Sequence, residues 1–202
     1  MEDKAMNFPV TLSNRGDMDP FLKKIVHSEK DELLRLAKEA EDGKLTVKAR
    51  IIARFLPEYF KLAKPGDRVL GINAWVGWGT PQWDVIRQIQ FEMADKGVDF
   101  TRIFIEPAAA TTEDKKHIRQ EMDRQKEKFK VRFIKESRVP DGTKMNSFFI
   151  YDKYFAYATY SKTPGTSIRH VVEETTFCTR RDELEKAKEM AENLIKLSEE
   201  YK

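Results

Sequence analysis

Few residues of this chain have the types and spacing that chemistry demands. The densest group is aromatic and glycine-rich: Trp75, Trp78 and Trp83 fall within nine residues of the run from Arg68 to Trp83. That run reads as a strand, a turn and a helix start. The carboxyl end of a strand that feeds a helix is where open α/β sheets commonly bind ligands. Gly77 and Gly79 allow close backbone approach, and Thr80 with Pro81 opens the next helix, whose free amides favour an anion. The run is not a P-loop, because no Gly-Lys-Ser/Thr follows. It also departs from G-x-G-x-x-G, because Gln82 stands where the third glycine belongs. The same residues also suit a purely structural role, with the glycines making the turn and the tryptophans packing over the sheet edge.

The remaining reactive side chains are sparse. His27 precedes a helix, His117 lies in a charged helix, and His170 follows Arg169 beside the polar run Ser161–Thr166. No pair has metal-ligand spacing, and no metal or cofactor is expected. Arg169 and His170, with nearby hydroxyls, offer a small anion site. Cys178 is the single cysteine, so a disulfide within the chain is excluded and a reducing, cytoplasmic setting is expected. In its Thr-Thr-Phe-Cys-Thr context it reads as a small core residue rather than a nucleophile.

Composition narrows the classes. The 202 residues carry 37 basic and 34 acidic side chains for a net charge of +3, a near-balance that does not demand a polyanion. A basic stretch from Lys126 to Arg138 is diluted by Glu127 and Glu136 and reads as a solvated edge, so a nucleic-acid partner is not expected. No run approaches a membrane span, and the first ten residues lack the apolar core of a secretory signal.

The elements that must position these residues follow from periodicity and punctuation. Ser28 to Asp31 resembles a capping box opening a first helix, and a second runs from about Val47 to Ala63, bent at Pro57. Pro65-Gly66-Asp67 is a turn. Strands are expected over Arg68–Val76, Val98–Ile105 and Lys130–Ile134, separated by helices opened by Thr80 and Thr111. Met145–Ser161 reads as an aromatic hairpin turning at Asp152-Lys153. A strand over His170–Phe177 and a last helix from about Arg181, capped by Thr179 or Asp182, complete the order. The apolar stripe of that last helix makes a homodimer an expectation. The pattern predicts a three-layer α/β/α sandwich with a mixed, mainly parallel sheet and an added β-hairpin. Residues 1–64 form a helical extension and residues 65–202 the α/β domain.

The order of two βα units followed by an aspartate-turned hairpin resembles the phospholipase D-like superfamily, over roughly residues 66–200. That family's hairpin carries H-x-K-x4-D followed by Gly-Ser. Asp152 matches the aspartate. Counting back puts the histidine at Met145 and the lysine at Ser147, and counting forward puts the Gly-Ser pair at Thr159-Tyr160. The family's reaction needs an imidazole to carry the phosphoryl group and a lysine to hold its charge. Neither methionine nor serine supplies these. The resemblance therefore implies a non-catalytic domain that binds a small anionic ligand or a protein partner. The candidate residues are Trp75, Trp78, Gly79, Thr80, Ser147, Asp152, Arg169 and His170. The alternative is a nucleotide- or phosphate-ester-using α/β enzyme with its site at Gly77–Thr80.

Overall fold

The structure, a computed structural model, describes residues 20–48, 57, 60–74, 81–140, 148–152, 154–162 and 170–202. The chain divides into two units, Met1–Asp42 and Gly43–Lys202. The first contributes one helix, α1 (Pro20–Glu41). Its start lies well before the expected cap at Ser28: Pro20, with φ fixed near the helical value, opens the helix, and Ser28 becomes an exposed interior residue.

The second unit runs β1 (Lys44–Lys48), β2 (Arg68–Ala74), α2 (Pro81–Asp95), β3 (Asp99–Glu106), α3 (Thr112–Gln125) and β4 (Lys130–Lys135). It continues with β5 (Phe148–Tyr151), β6 (Tyr154–Lys162), β7 (His170–Cys178), α4 (Arg181–Leu197) and β8 (Glu199–Glu200). The strands form one sheet in the order β1-β7-β6-β5-β2-β3-β4-β8. The mixed α/β/α architecture is as expected, but its parallel part is confined to β2-β3-β4. Antiparallel pairs outnumber parallel ones, since the hairpin β5–β6 joins the sheet centre beside β2 instead of lining an edge. Two strands were not anticipated. Residues 44–48 extend along β7, where a helix start had been expected at Val47, and β8 closes the far edge against β4. Residues 57, 60 and 61 are helical.

Local chemistry explains several boundaries. Gly97 ends α2 at φ 94, a left-handed value that glycine adopts without strain. The α3 start is a complete capping box: the Thr111 hydroxyl accepts from the Asp114 amide at 3.2 Å, and the Asp114 carboxylate accepts from the Thr111 amide at 2.9 Å. The α4 start differs from expectation. Its N-cap is Arg180, with no side-chain cap. Thr179 is used elsewhere, its amide donating to the Gly43 carbonyl at 2.8 Å and tying the start of β1 to the end of β7.

Strand alternation divides the core between two layers. One face presents Ile72, Ile103, Ile105, Ile134, Phe148 and Ile150 to the buried Leu184, Ala187, Ala191 and Leu194 of α4. The opposite face carries Phe100, Arg102, Phe104, Val131 and Phe149, all buried. Gln90 of α2 bonds Arg102 there, and Phe60 meets Phe149 edge-on at 5.1 Å. Among the described residues no helix is long and apolar enough to cross a membrane.

Candidate functional site

Sheet register decides which predicted residues share a location. β2 and β3 run parallel, with Ala74 opposite Ile105. β5 runs antiparallel to β2, with Phe148 opposite Ile72. Tyr157 of β6 lies opposite Phe148, and Lys162 lies opposite His170 of β7. The chain therefore leaves β2 after Ala74, enters β5 at Phe148, leaves β6 at Lys162 and enters β7 at His170, all at the carboxyl end of β2. Three stretches singled out from the sequence attach there: 75–80, 145–147 and 163–170. Trp75, Trp78, Gly79, Thr80, Met145, Ser147 and Arg169 themselves lie outside the described residues. His170 is placed by its backbone as the first residue of β7.

The helices α2 and α3 both begin after strands that end on this side. Their amide-rich starts would favour an anion, but α3 is closed by its own capping box. Two described polar pairs lie near this end. Lys115 pairs with Glu106 at 3.7 Å, and the Glu136 carboxylate accepts from the Ala108 amide at 2.6 Å.

Asp152 sits at the other end. The register Val69↔Tyr151 puts the β5–β6 turn beside the amino end of β2. Asp152 adopts φ 45, a left-handed conformation that aspartate tolerates better than most residues. Its neighbour Tyr151 donates through its hydroxyl to Asp67 at 2.7 Å, with the Leu62 carbonyl at 2.9 Å. Desolvation, and then the Asp67 hydrogen bond, push the Tyr151 phenol up to about 12. The Tyr151 hydroxyl, and then the Lys64 amide, hold Asp67 below its ordinary value. This is a turn anchored by a tyrosine.

The sequence reading missed a buried polar cluster. Arg102 is 1% exposed and lies between the rings of Phe149 and Phe129, 5.1 and 5.7 Å from their centroids. Its Nη2 donates to Gln90 Oε1 at 2.7 Å. Glu121, also buried, accepts from Arg87 at 2.7 Å and from Gln125 at 2.9 Å. Desolvation lowers the Arg102 guanidinium to about 9, opposed by the attraction of Glu121. The signal was legible in Phe100-Thr-Arg-Ile-Phe104, where alternation puts Arg102 on the same face as two phenylalanines. Gly71 on β2 makes the room, because a Cβ there would stand 3.0 Å from Arg102 Nε and from Phe149 Cε1.

The basic stretch is engaged within the chain. Lys128 pairs with Asp95, Lys130 with Asp99 and Lys126 with Asp123. Arg132 donates to Ser198 and to the Ile195 carbonyl, and Arg138 pairs with Glu199. Cys178 is buried, and burial pushes its thiol up. Among the described residues no group of three metal-ligating side chains occurs.

No family model matches the sequence, and no curated protein matches it. Solved structures do. The phospholipase D family member Nuc from Salmonella typhimurium aligns at TM-score 0.55 and 10% identity, over 79% of this chain and 97% of that one. NucT from Helicobacter pylori aligns at TM-score 0.54 and 13% identity, over 78% and 98%. TrmBL2, an archaeal chromatin protein with a novel mode of DNA binding, aligns at TM-score 0.48 and 15% identity. That alignment covers 90% of this chain and spans 64% of TrmBL2. The fold of this chain is phospholipase D-like.

Proposed function

We propose that this chain is a phospholipase D-like domain that binds without cleaving, and that its ligand is a small anion held at the carboxyl end of β2. The observation that carries the reading is the register. It brings the described residues that flank the stretches 75–80, 145–147 and 163–169, namely Ala74, Phe148, Lys162 and His170, to one end of the sheet. Trp75 and Trp78 supply flat contact area, Gly79 and Thr80 supply backbone amides, Arg169 supplies positive charge and His170 a ring N–H donor. Ser147 stands where the family's reaction needs a lysine, and Met145 where it needs a histidine. A bound phosphate ester would therefore find donors but no nucleophile. Asp152, at the opposite end, serves the hairpin turn in this reading. The domain then acts as a sensor or an interaction module in a reducing compartment, consistent with a single buried cysteine.

Intrinsic tryptophan fluorescence tests this with inorganic phosphate, nucleotides, short oligonucleotides and anionic vesicles as separate arms. The expected result is a saturable shift with a phosphate-bearing small molecule that is lost in Arg169→Ala. A shift with oligonucleotides alone would assign the surface to nucleic acid instead. Turnover of a phosphodiester that vanishes in Trp78→Ala would favour the enzymatic alternative. No shift in any arm would refute ligand binding at this end.

A further inference from the structure

We propose that α1 is a dimerisation element that pairs antiparallel with α1 of a second copy of this chain. The helix spans 22 residues, yet Leu33 and Leu34 are 66% and 59% exposed. Leu33 lies on the seam that follows and Leu34 beside it, and large apolar side chains of an amphipathic helix are normally buried against something.

The spacing along α1 is that of a helical pair. Positions 22, 26, 29, 33, 36 and 40 alternate steps of four and three residues, and five of the six are apolar: Leu22, Val26, Leu33, Leu36 and Ala40. Glu29 is the exception. An antiparallel partner centred on residue 31 brings every one of these positions into register with another. Position 22 meets 40, position 26 meets 36, and position 29 meets 33. One polar residue in an otherwise apolar seam is a device that fixes register.

Charge selects the occupant. The half Pro20–Lys30 carries three lysines against one glutamate, while Asp31–Glu41 carries Arg35 and Lys38 against four acidic residues. This polarity is the reverse of what the helix macrodipole favours, and the first turn holds no acidic residue. The arrangement does not serve an isolated helix. Antiparallel pairing sets each basic half against an acidic half and closes with two-fold symmetry, so assembly stops at a dimer. Glu32, near the two-fold axis, is already neutralised by Arg35 at 2.8 Å.

The test uses the full chain in sedimentation equilibrium. The wild type is expected to be a dimer, and Leu33→Glu/Leu36→Glu a monomer with an unchanged circular dichroism spectrum. Orientation is read by disulfide trapping. Glu29→Cys mixed with Leu33→Cys should crosslink well above either variant alone, because position 29 meets 33 and not itself. A monomeric wild type overturns the proposal and leaves α1 to a segment of its own chain or to a different protein. A dimer that survives Leu33→Glu/Leu36→Glu, or cysteine variants that crosslink equally well alone, would also overturn it.

Discussion

Replacing Arg102 with methionine tests whether the buried charge stabilises the fold or burdens it. Burial holds the guanidinium at about 9 against 12.5, which corresponds to a cost on the order of 5 kcal/mol for keeping it charged in the core. Methionine removes that cost and fills the slot between Phe129 and Phe149 with a chain suited to aromatic neighbours. The losses include the bond to Gln90 Oε1 at 2.7 Å, about 1–3 kcal/mol, and two cation–ring contacts at about 1 kcal/mol each. Glu121 is not orphaned, because Arg87 and Gln125 still bond it. The net expectation is stability within about 2 kcal/mol of the wild type. Arg102→Ala, which opens a cavity between the rings, should cost about 3–5 kcal/mol. The pH dependence gives a second readout. A cation whose folded value is depressed binds fewer protons folded than unfolded, so its contribution rises as pH climbs above about 9. Urea titrations across that range should show wild-type stability gaining on Arg102→Met as pH rises. A methionine variant losing more than about 3 kcal/mol at neutral pH, with no further gain of the wild type over it as pH rises, would refute the reasoning and make the guanidinium a net stabiliser.

Three further outcomes follow from the same packing. Gly71→Ala puts a Cβ 3.0 Å from Arg102 Nε and from Phe149 Cε1 and should cost about 1–3 kcal/mol. The cost should shrink in an Arg102→Met background, measured as a double-mutant cycle. At the hairpin, Asp152 has φ 45, so Asp152→Gly should stay within about 1 kcal/mol of wild type while Asp152→Val loses about 1–3 kcal/mol. Neither change should alter the tryptophan titration, and loss of binding in Asp152→Gly would end the turn-only role. Cys178 is 1% exposed and its thiol is pushed up by burial. It should resist a thiol reagent in the native protein and react once the chain is denatured, and rapid native labelling would contradict its role as a core residue.

The sequence was most legible where local chemistry and tertiary packing agree. The capping box of Thr111 and Asp114, the strands of the β2–β4 block and the Asp152 turn all declared themselves through short-range rules, and each is present. The failures share a different physics. β1 and β8 have no independent signature, because an edge strand of two to five residues is stabilised by its partner's ladder and not by its own propensity. The start of α1 was misplaced because Ser28 offered a plausible cap inside a longer helix. The Arg102 cluster was passed over although alternation put it inward, because a charged residue is ordinarily assigned to solvent. Only the pairing of β2 with β3, which lays Gly71 opposite Arg102, shows where its bulk goes.

In the non-catalytic reading proposed above, the hairpin explains why the aspartate of the signature persists without its chemistry. Asp152 occupies a left-handed turn position whose geometry the sheet requires whether or not a reaction occurs, because it sets the register of β5 against β6. In that reading the positions matched to the histidine and lysine, Met145 and Ser147, precede Phe148 in the sequence and lie outside the described residues. On this reasoning the aspartate is weak testimony to catalysis. A restored Met145→His/Ser147→Lys chain should remain as stable as the wild type, and only the appearance of phosphodiester turnover in it would show that the rest of the reacting geometry survives.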